Sequence, residues 1–485
     1  MSPQVPRHSS AFTTELKVPP EPAFSNLIGA FAADAARRAA LTEPQACNIA
    51  AAAEEGFNAI VQEALAQERE PIRVVATVSP IEFTLSFFER GLPMDDAFAR
   101  RSPKWNQLCE AVDSAHWFCH GMAGSELRLT VTREDGTRAA AACSPAEAVS
   151  AAPQQEYTIR RFVPADAPGI ARAFYLTYGY DYDLSAVYAP ARLIELNRSH
   201  RYISIVAVAA TGDVVGHYAL VRDADSPIAD AAGAIVVPAH RGRDLLNRLR
   251  NAAEQEAIAL GLAAYYSEPV TDHPRTQSAS ENFGAKACGI TLGEAPRSFV
   301  ARHMTLSTTT QRQSCMLYIK PLRAREPRTI YPPQRHHGLI TQIYGQLGLP
   351  VVIGDAAAPN GRGSFHTEIT RSDEFGSIEI DEVGIQTGQL VGQAAEDLRS
   401  TNRLGVIYAS LPLEDPGTPA LCEEVESCGF FFSGVGPWML DGKDALRMQM
   451  PLTAIDLSEL VVIGEFGKIL LDYIAAERAR IEKSR

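Results

Sequence analysis

No stretch of this chain approaches about 18 uninterrupted apolar residues, and its first residues, Met1 to His8, hold no apolar signal-type segment. Neither a membrane span nor secretion is therefore expected. Positive charge is in deficit, with 45 Lys and Arg against 58 Asp and Glu and a formal net charge of -13. Nucleic acid and anionic membrane both demand a basic surface, so neither is an expected partner. Cysteine is sparse and unpatterned: eight residues, at 47, 109, 119, 143, 288, 315, 422 and 428, without a CxxC pair. They read as reduced thiols of a cytoplasmic protein, not as a disulfide framework. The pairs His336-His337 and His116/His120 lack further converging ligands, and no metal site is expected.

What is present is ordinary globular material, 46% hydrophobic and 21% charged over 485 residues. That length predicts about three domains. Alanine-rich helical stretches between β-branched runs predict an α/β (α+β) chain. Residues 1–22 carry Pro3, Pro6, Pro19, Pro20 and Pro22 and read as a loose arm or extended edge segment. Small residues and prolines at 141–155 predict a linker, and polar Thr308 to Ser314 a second break. Domains are expected at 23–140, 156–306 and 314–485.

The most informative stretch is Ala234-Ile-Val-Val-Pro-Ala-His-Arg-Gly-Arg-Asp-Leu-Leu-Asn-Arg-Leu249: an apolar run, a basic glycine-containing turn, then a helix. A strand feeding a helix start aims free N–H groups and a positive dipole end at one point, which suits a phosphate. Arg241 and Arg243 add to that field. Asp244 also reads as an N-cap, whose carboxylate would occupy the same N–H groups. Leu246, Leu249, Ala253, Ala257 and Leu260 form the helix's apolar stripe, with Gly261 at its C-terminal stop.

With strands at Tyr157–Phe162, Ile203–Val208 and Val214–Leu220 and a helix over 165–178, this segment resembles the GNAT acetyltransferase superfamily, whose turn pattern is Arg/Gln-x-x-Gly-x-Gly/Ala. The resemblance implies acetyl-CoA as cofactor. The backbone of Ile235, Val236 and Val237 would hold the pantetheine arm, and Arg241, Gly242, Arg243, Asp244 and Leu245 the pyrophosphate. Asp244 and Leu246 stand where the pattern has small residues. The family's proton-donating tyrosine falls at Ser280, four residues before Gly284. Glu268, at a strand end, and His273, at a helix entry, are the general-base candidates by type and position. Tyr178-Gly-Tyr-Asp-Tyr182 lies where the family builds its acceptor pocket, so Tyr178, Tyr180, Asp181 and Tyr182 would receive a cationic amine; plain aromatic packing is the other reading.

The first domain has Ile49, Ala53, Phe57 and Ile60 at helical spacing, with Glu54 and Asn58 four apart on a neighbouring face. It resembles the ATPase domain of anti-sigma-factor and histidine kinases. That resemblance makes Glu54-x-x-x-Asn58 the water-orienting and magnesium-binding pair, and Glu89-Arg-Gly91-Leu-Pro the adenine reader. It implies ATP with magnesium as a ligand; a structural relic of that fold is the alternative. The family's glycine-rich lid would fall near Ser102 to Leu108, which holds no glycine.

Residues 314–485 resemble a second, degenerate GNAT-like copy, with Val425 at the tyrosine position. The function these resemblances imply is transfer of an acyl group from CoA to a small-molecule or protein amine, with an appended ATPase-like regulatory domain. The alternative is a regulatory module of the same folds that binds a ligand or a protein partner without turnover.

Overall fold

A computed structural model describes residues 11–63, 70–133, 156–182, 184–223, 225–296, 311–401 and 403–484. The expected linker at 141–155 lies outside them. The protein is mixed α/β and divides into two compact units. One draws on residues up to Arg198 together with Ile205–His217 and Ile235–Leu249; the other holds Ser199–Ser204, Tyr218–Ala234 and Arg250 onward. The division therefore falls inside the segment expected to be a middle domain of its own. Among the described residues no helix is long and apolar enough to cross a membrane.

The first unit opens with β1 (Phe12–Val18), the edge strand of a five-stranded sheet. Then follow α1 (Ser25–Arg38), α2 (Glu43–Glu63), β2 (Ile72–Val78), β3 (Glu82–Glu89), α3 (Asp96–Ala99), α4 (Pro103–Ala111), β4 (Ser114–Cys119) and β5 (Ser125–Thr132). The strand order is β1-β2-β3-β5-β4. The stripe Ile49, Ala53, Phe57 and Ile60 of α2 is buried, as are Val74, Phe83, Phe87, Leu127 and Leu129 of the sheet. Each large side chain so removed from water contributes about 1.5–3 kcal/mol. On α1 the buried face is Ile28, Ala32, Ala35 and Ala36, small enough for α2 to lie close.

Next come β6 (Tyr157–Arg161), α5 (Ala167–Tyr178) and α6 (Pro190–Arg198). The division between units falls within β7 (Tyr202–Ala209), β8 (Val214–Val221), β9 (Ile228–Val236) and α7 (Leu245–Ala259). In the first unit β6 pairs antiparallel with β7, from Tyr157↔Ala209 to Arg161↔Ile205. The β7–β8 hairpin turns at Gly212, whose φ of 84° favours glycine.

The second unit continues with β10 (Ala264–Ser267), α8 (Arg275–Asn282), β11 (Lys286–Ala295), β12 (Gln313–Pro321), β13 (Arg328–Ile330), α9 (His337–Leu347), β14 (Val351–Ile353), β15 (Ser364–Thr370), β16 (Phe375–Glu382), α10 (Thr387–Thr401), β17 (Val406–Pro412), α11 (Thr418–Ser427), β18 (Phe431–Leu440), β19 (Lys443–Pro451) and α12 (Glu465–Ser484). Its strands run in the order β15-β16-β17-β19-β18-β11-β12-β10-β9. Two parallel pairs stand in it, β9/β10 and β16/β17. Ile340, Ile343 and Tyr344 of α9 and Leu470 and Ile474 of α12 share one apolar core with Ile290, Leu317 and Phe432 of the strands.

Candidate functional site

In the first unit the chain leaves Val236, passes a 3₁₀ turn at Pro238–His240 and enters α7 at Leu245. Gly242 has φ 77° with open space where a β-carbon would stand, and Asp244 has φ 56° although it is not glycine. The backbone thus keeps, at Asp244, a conformation that a small residue adopts more cheaply. The Asp244 carboxylate accepts from Asn247 Nδ2 at 2.5 Å. The Asp244 carboxylate, which the sequence suggests as the N-cap of α7, is thus engaged with the Asn247 side chain. The first amides of a helix have no intrahelical partner and suit an anion.

The arginines of the turn are held in place. Arg241 Nε donates to Val236 O at 3.1 Å and Arg243 donates to the Tyr157 hydroxyl. Tyr157 OH also meets His240 Nδ1 at 2.9 Å, and Arg248 donates to Tyr157 O at 2.9 Å. Burial and the Arg243 charge hold the His240 imidazole below its usual range, which favours its neutral form. Beneath the turn Val237 N donates to Val215 O at 2.9 Å, and a β-carbon on Gly216 would stand 3.0 Å from Leu249 and 3.3 Å from Ile235 O. Ile235 and Val237 are buried.

In the second unit β9 pairs in parallel with β10 over Ile228, Ala229 and Asp230, and the register ends at Tyr266↔Asp230. Gly233, three residues on, has φ 62°, where the strand departs from regular extension.

Glu268, just past β10, lines a cleft of about 620 Å³ in the second unit. Asp223, Asp225, Glu379 and Asp441 also line it, against only Arg222 and Arg447. Glu268 pairs with Arg447 at 3.4 Å. Desolvation and the nearby Glu268 push the Glu294 carboxyl up to about 8, against the pull of Thr291 and Arg447. His273 has a buried Nδ1 without a partner. Ser280, by contrast, is buried with its hydroxyl donating to Thr276 O at 3.2 Å and lying 3.1 Å from Ser267 Oγ. Its proton is already committed within the helix. No local run of residues marks Arg447, Glu294, Glu379 or Asp441 as neighbours of Glu268, because they come from β19, β11, β16 and the turn after β18.

A carboxyl raised in the folded state makes that state bind protons more tightly than the unfolded chain. Stability then falls as pH rises from its ordinary value of 4.5 through about 8 and is level beyond. The midpoint of urea unfolding of the second unit should drop between about pH 5 and pH 8, and Glu294→Gln should flatten that slope. Identical pH profiles for the two proteins would contradict the assignment.

The N-terminal candidate residues lie on two different faces. Glu54 and Asn58 face α1: Asn58 Nδ2 donates to Ser25 Oγ at 3.1 Å, and Glu54 lies so close to Gly29 that a β-carbon there would collide with it. The face of α2 that lines a cavity of about 320 Å³ is one residue further on, at Glu55 and Ala59. One residue is about 100° of helix, enough to turn the expected magnesium ligand away. Glu89 and Gly91 do line that cavity, and Glu89 Oε2 accepts from Gly91 N. Lys104 is paired with Glu55 at 3.1 Å and Arg101 with Asp213, so neither charge is open to a polyphosphate. The lid region is the helix α4. ATP with magnesium therefore finds no support here, and that expectation is corrected.

The aromatic patch also packs inward. Tyr180 is 6% exposed and donates to Gly91 O at 3.0 Å; its ring lies 5.2 Å from Tyr188, and Tyr178 stacks on Tyr182 at 5.0 Å. Burial pushes the Tyr180 phenol well up. Asp181 is exposed. This is aromatic core packing more than an open acceptor pocket.

Metal-ligating types converge at His336, Cys422 and Glu426. Both ring nitrogens of His336 are engaged, with Tyr473 OH at 2.7 Å and Glu426 at 3.0 Å, and Arg480 pairs with Glu426 at 2.6 Å. An arginine there opposes a cation.

No protein-family model and no curated protein matches the chain. Among solved structures it is similar to an N-acetyltransferase from Staphylococcus aureus Mu50 (13% identity, 35% of this chain and 99% of that one, TM-score 0.28). It is also similar to the ribosomal-protein-S18-alanine N-acetyltransferase from Escherichia coli (15%, 35% and 97%, TM-score 0.28). A third is the GNAT family N-acetyltransferase YhbS from Escherichia coli, solved in complex with CoA (20%, 36% and 86%, TM-score 0.24). Likenesses of this degree carry no argument about what this chain does.

Proposed function

We propose that this protein transfers an acyl group from CoA to a cationic amine, with the CoA pyrophosphate bound at the turn from Val237 to Leu245. The observation that carries this reading is the start of α7: the Asp244 carboxylate is engaged with Asn247, Gly242 leaves the approach open, and Arg241 and Arg243 supply positive charge. Amides at a helix start, with charge-assisted partners beside them, are a general means of holding a pyrophosphate.

Within the second unit, the cleft at Glu268, where carboxylates outnumber arginines, suits a cationic amine. In the reaction the amine nitrogen forms a bond to the thioester carbonyl carbon, the carbon–sulfur bond breaks, and the thiolate leaves. The cationic amine first loses one proton to a base, which passes it to solvent, and the proton lost from nitrogen after attack goes to sulfur. Of the sequence candidates His273 offers a free ring nitrogen, whereas Ser280 is committed and Glu268 is tied to Arg447.

Calorimetry with acetyl-CoA tests the site. The wild type should bind, and an Arg241→Ala/Arg243→Ala variant should bind at least about tenfold more weakly through loss of two charge-assisted contacts. No heat at about 1 mM acetyl-CoA would overturn the proposal. The engagement of Ser280 favours a second reading, a module that binds acyl-CoA without turnover. Thiol release from acetyl-CoA in the presence of amines, lost in the double variant, would decide against that reading.

A further inference from the structure

The start of α7 carries more positive charge than the pyrophosphate of the proposed donor requires. Arg241, Arg243 and Arg248 are all exposed, and among the described residues each meets neutral groups alone. Arg241 donates to Val236 O, Arg243 to the Tyr157 hydroxyl, and Arg248 to Tyr157 O at 2.9 Å. The neighbouring acids are engaged elsewhere: Asp244 meets Asn247, and Asp213 pairs with Arg101 and accepts from Thr211. In a chain of net charge -13, guanidinium groups gathered without a carboxylate partner make a local anion site. A pyrophosphate diester has one charge on each phosphorus, which Arg241, Arg243 and the first amides of α7 already answer. Arg248 is in excess of that need.

Tyr157 ties two of these groups into one cluster. Its backbone is fixed in β6 by the Tyr157↔Ala209 pair; its ring meets His240 edge to face at 5.7 Å, with the hydroxyl 2.9 Å from His240 Nδ1. The fixed residue then presents its hydroxyl to Arg243 and its carbonyl to Arg248. Arg248 N donates to Asp244 O at 3.2 Å, so Arg248 stands one helical turn beyond Asp244 on the same side of α7.

We infer that Arg243 and Arg248, joined through Tyr157, form a second anion subsite that takes the phosphate monoester on the adenosine ribose of the donor, so that this protein selects free acyl-CoA over donors lacking that phosphate. The inference rests on the acyl-CoA reading and adds the donor class to it. Guanidinium groups match phosphate oxygens through paired N–H···O bonds, and a monoester carries more charge than a diester, so it gains most from a cationic pair. A thioester on protein-bound phosphopantetheine lacks this group and is the disfavoured donor. Tyr157 is a positioning residue, acting through the two arginines.

The test is calorimetry of the full-length protein with CoA and with dephospho-CoA, the same molecule without the ribose phosphate. The wild type should bind CoA at least about tenfold more tightly than dephospho-CoA. Arg248→Gln should bring that ratio down to about one. Tyr157→Phe, which keeps the carbonyl and removes the hydroxyl, should lower the ratio about threefold, and should lower it no further in an Arg243→Ala background. A ratio is unmoved by a uniform loss of affinity, so it separates positioning from a merely structural defect. Equal binding of the two ligands by the wild type overturns the inference and leaves the acyl-CoA reading standing; so does a ratio unchanged in Arg248→Gln. No binding of either ligand at about 1 mM overturns the acyl-CoA reading, and the inference falls with it. A further drop when Tyr157→Phe is added to Arg243→Ala overturns the role given to Tyr157. Circular dichroism confirms that the variants are folded, and the two wild-type titrations are decisive should one of them not be.

Discussion

Replacing Asp444 by alanine is expected to destabilise the second unit by about 3–5 kcal/mol, the usual consequence of removing one partner from a buried ion pair. The Asp444 side chain is fully buried and accepts from Arg325 at 2.8 and 2.6 Å, Arg328 at 3.2 Å, Tyr344 OH at 2.8 Å and Trp438 N at 3.0 Å. Arg325 is itself nearly enclosed, so it would keep an uncompensated charge. Trp438 has φ 62° and lines the acidic cleft; Asp444 is the acceptor that holds its N–H in that left-handed backbone. Loss of stability should therefore be accompanied by weaker binding of amines in the cleft. Asp444→Asn keeps the shape and one acceptor oxygen and should fall between wild type and alanine. Urea unfolding of the three proteins measures this, and a cost under about 1 kcal/mol for alanine would contradict the role given to Asp444.

Gly289→Ala should cost about 2–3 kcal/mol, at the upper end for overpacking. Strands β11 and β18 meet at Gly289↔Gly434. A β-carbon on Gly289 would stand 2.7 Å from Ser433 O and 2.8 Å from Gly434 Cα; on Gly434 it would stand 2.5 Å from Cys288 O. These obstacles are backbone, which cannot rotate away as a side chain can, so the strands must separate. Gly242→Ala is the contrasting substitution. Nothing lies within 4 Å of its β-carbon, and only the φ of 77° penalises it, by about 1 kcal/mol. Thermal unfolding should show a much larger shift for position 289 than for position 242; equal shifts would show that close approach of the strands is not what requires glycine there.

Local pattern reveals elements well and faces less well. The β-branched run at Arg73–Val78, the hairpin at Gly212 and the stripe of α7 ending at Gly261 all stand where their residues place them, because period and turn chemistry are local properties. The strand at Ser114–Cys119 and the helices at Pro103–Ala111 and Glu465–Ser484 have weaker local signals and gain their stability from neighbours. Glu54 and Asn58 illustrate the limit. Their spacing correctly puts them side by side on α2, but spacing carries no information on which side meets the cavity. The alanine-lined approach of α1 decided that, and it placed Glu55 and Ala59 on the cavity side instead.

By itself the sequence determined the mixed α/β class, the strand-turn-helix with its two arginines, and the presence of Glu89 and Gly91 together at one turn. Each is set by residues within a few positions of one another. Only the tertiary structure decided that the Asp244 carboxylate meets Asn247, that Ser280 is already hydrogen-bonded, and that Arg447, Glu294 and Glu379 gather around Glu268. Those outcomes depend on which strands lie side by side. Strand order is fixed by burial of whole faces across the sheet, and no local run of residues encodes it.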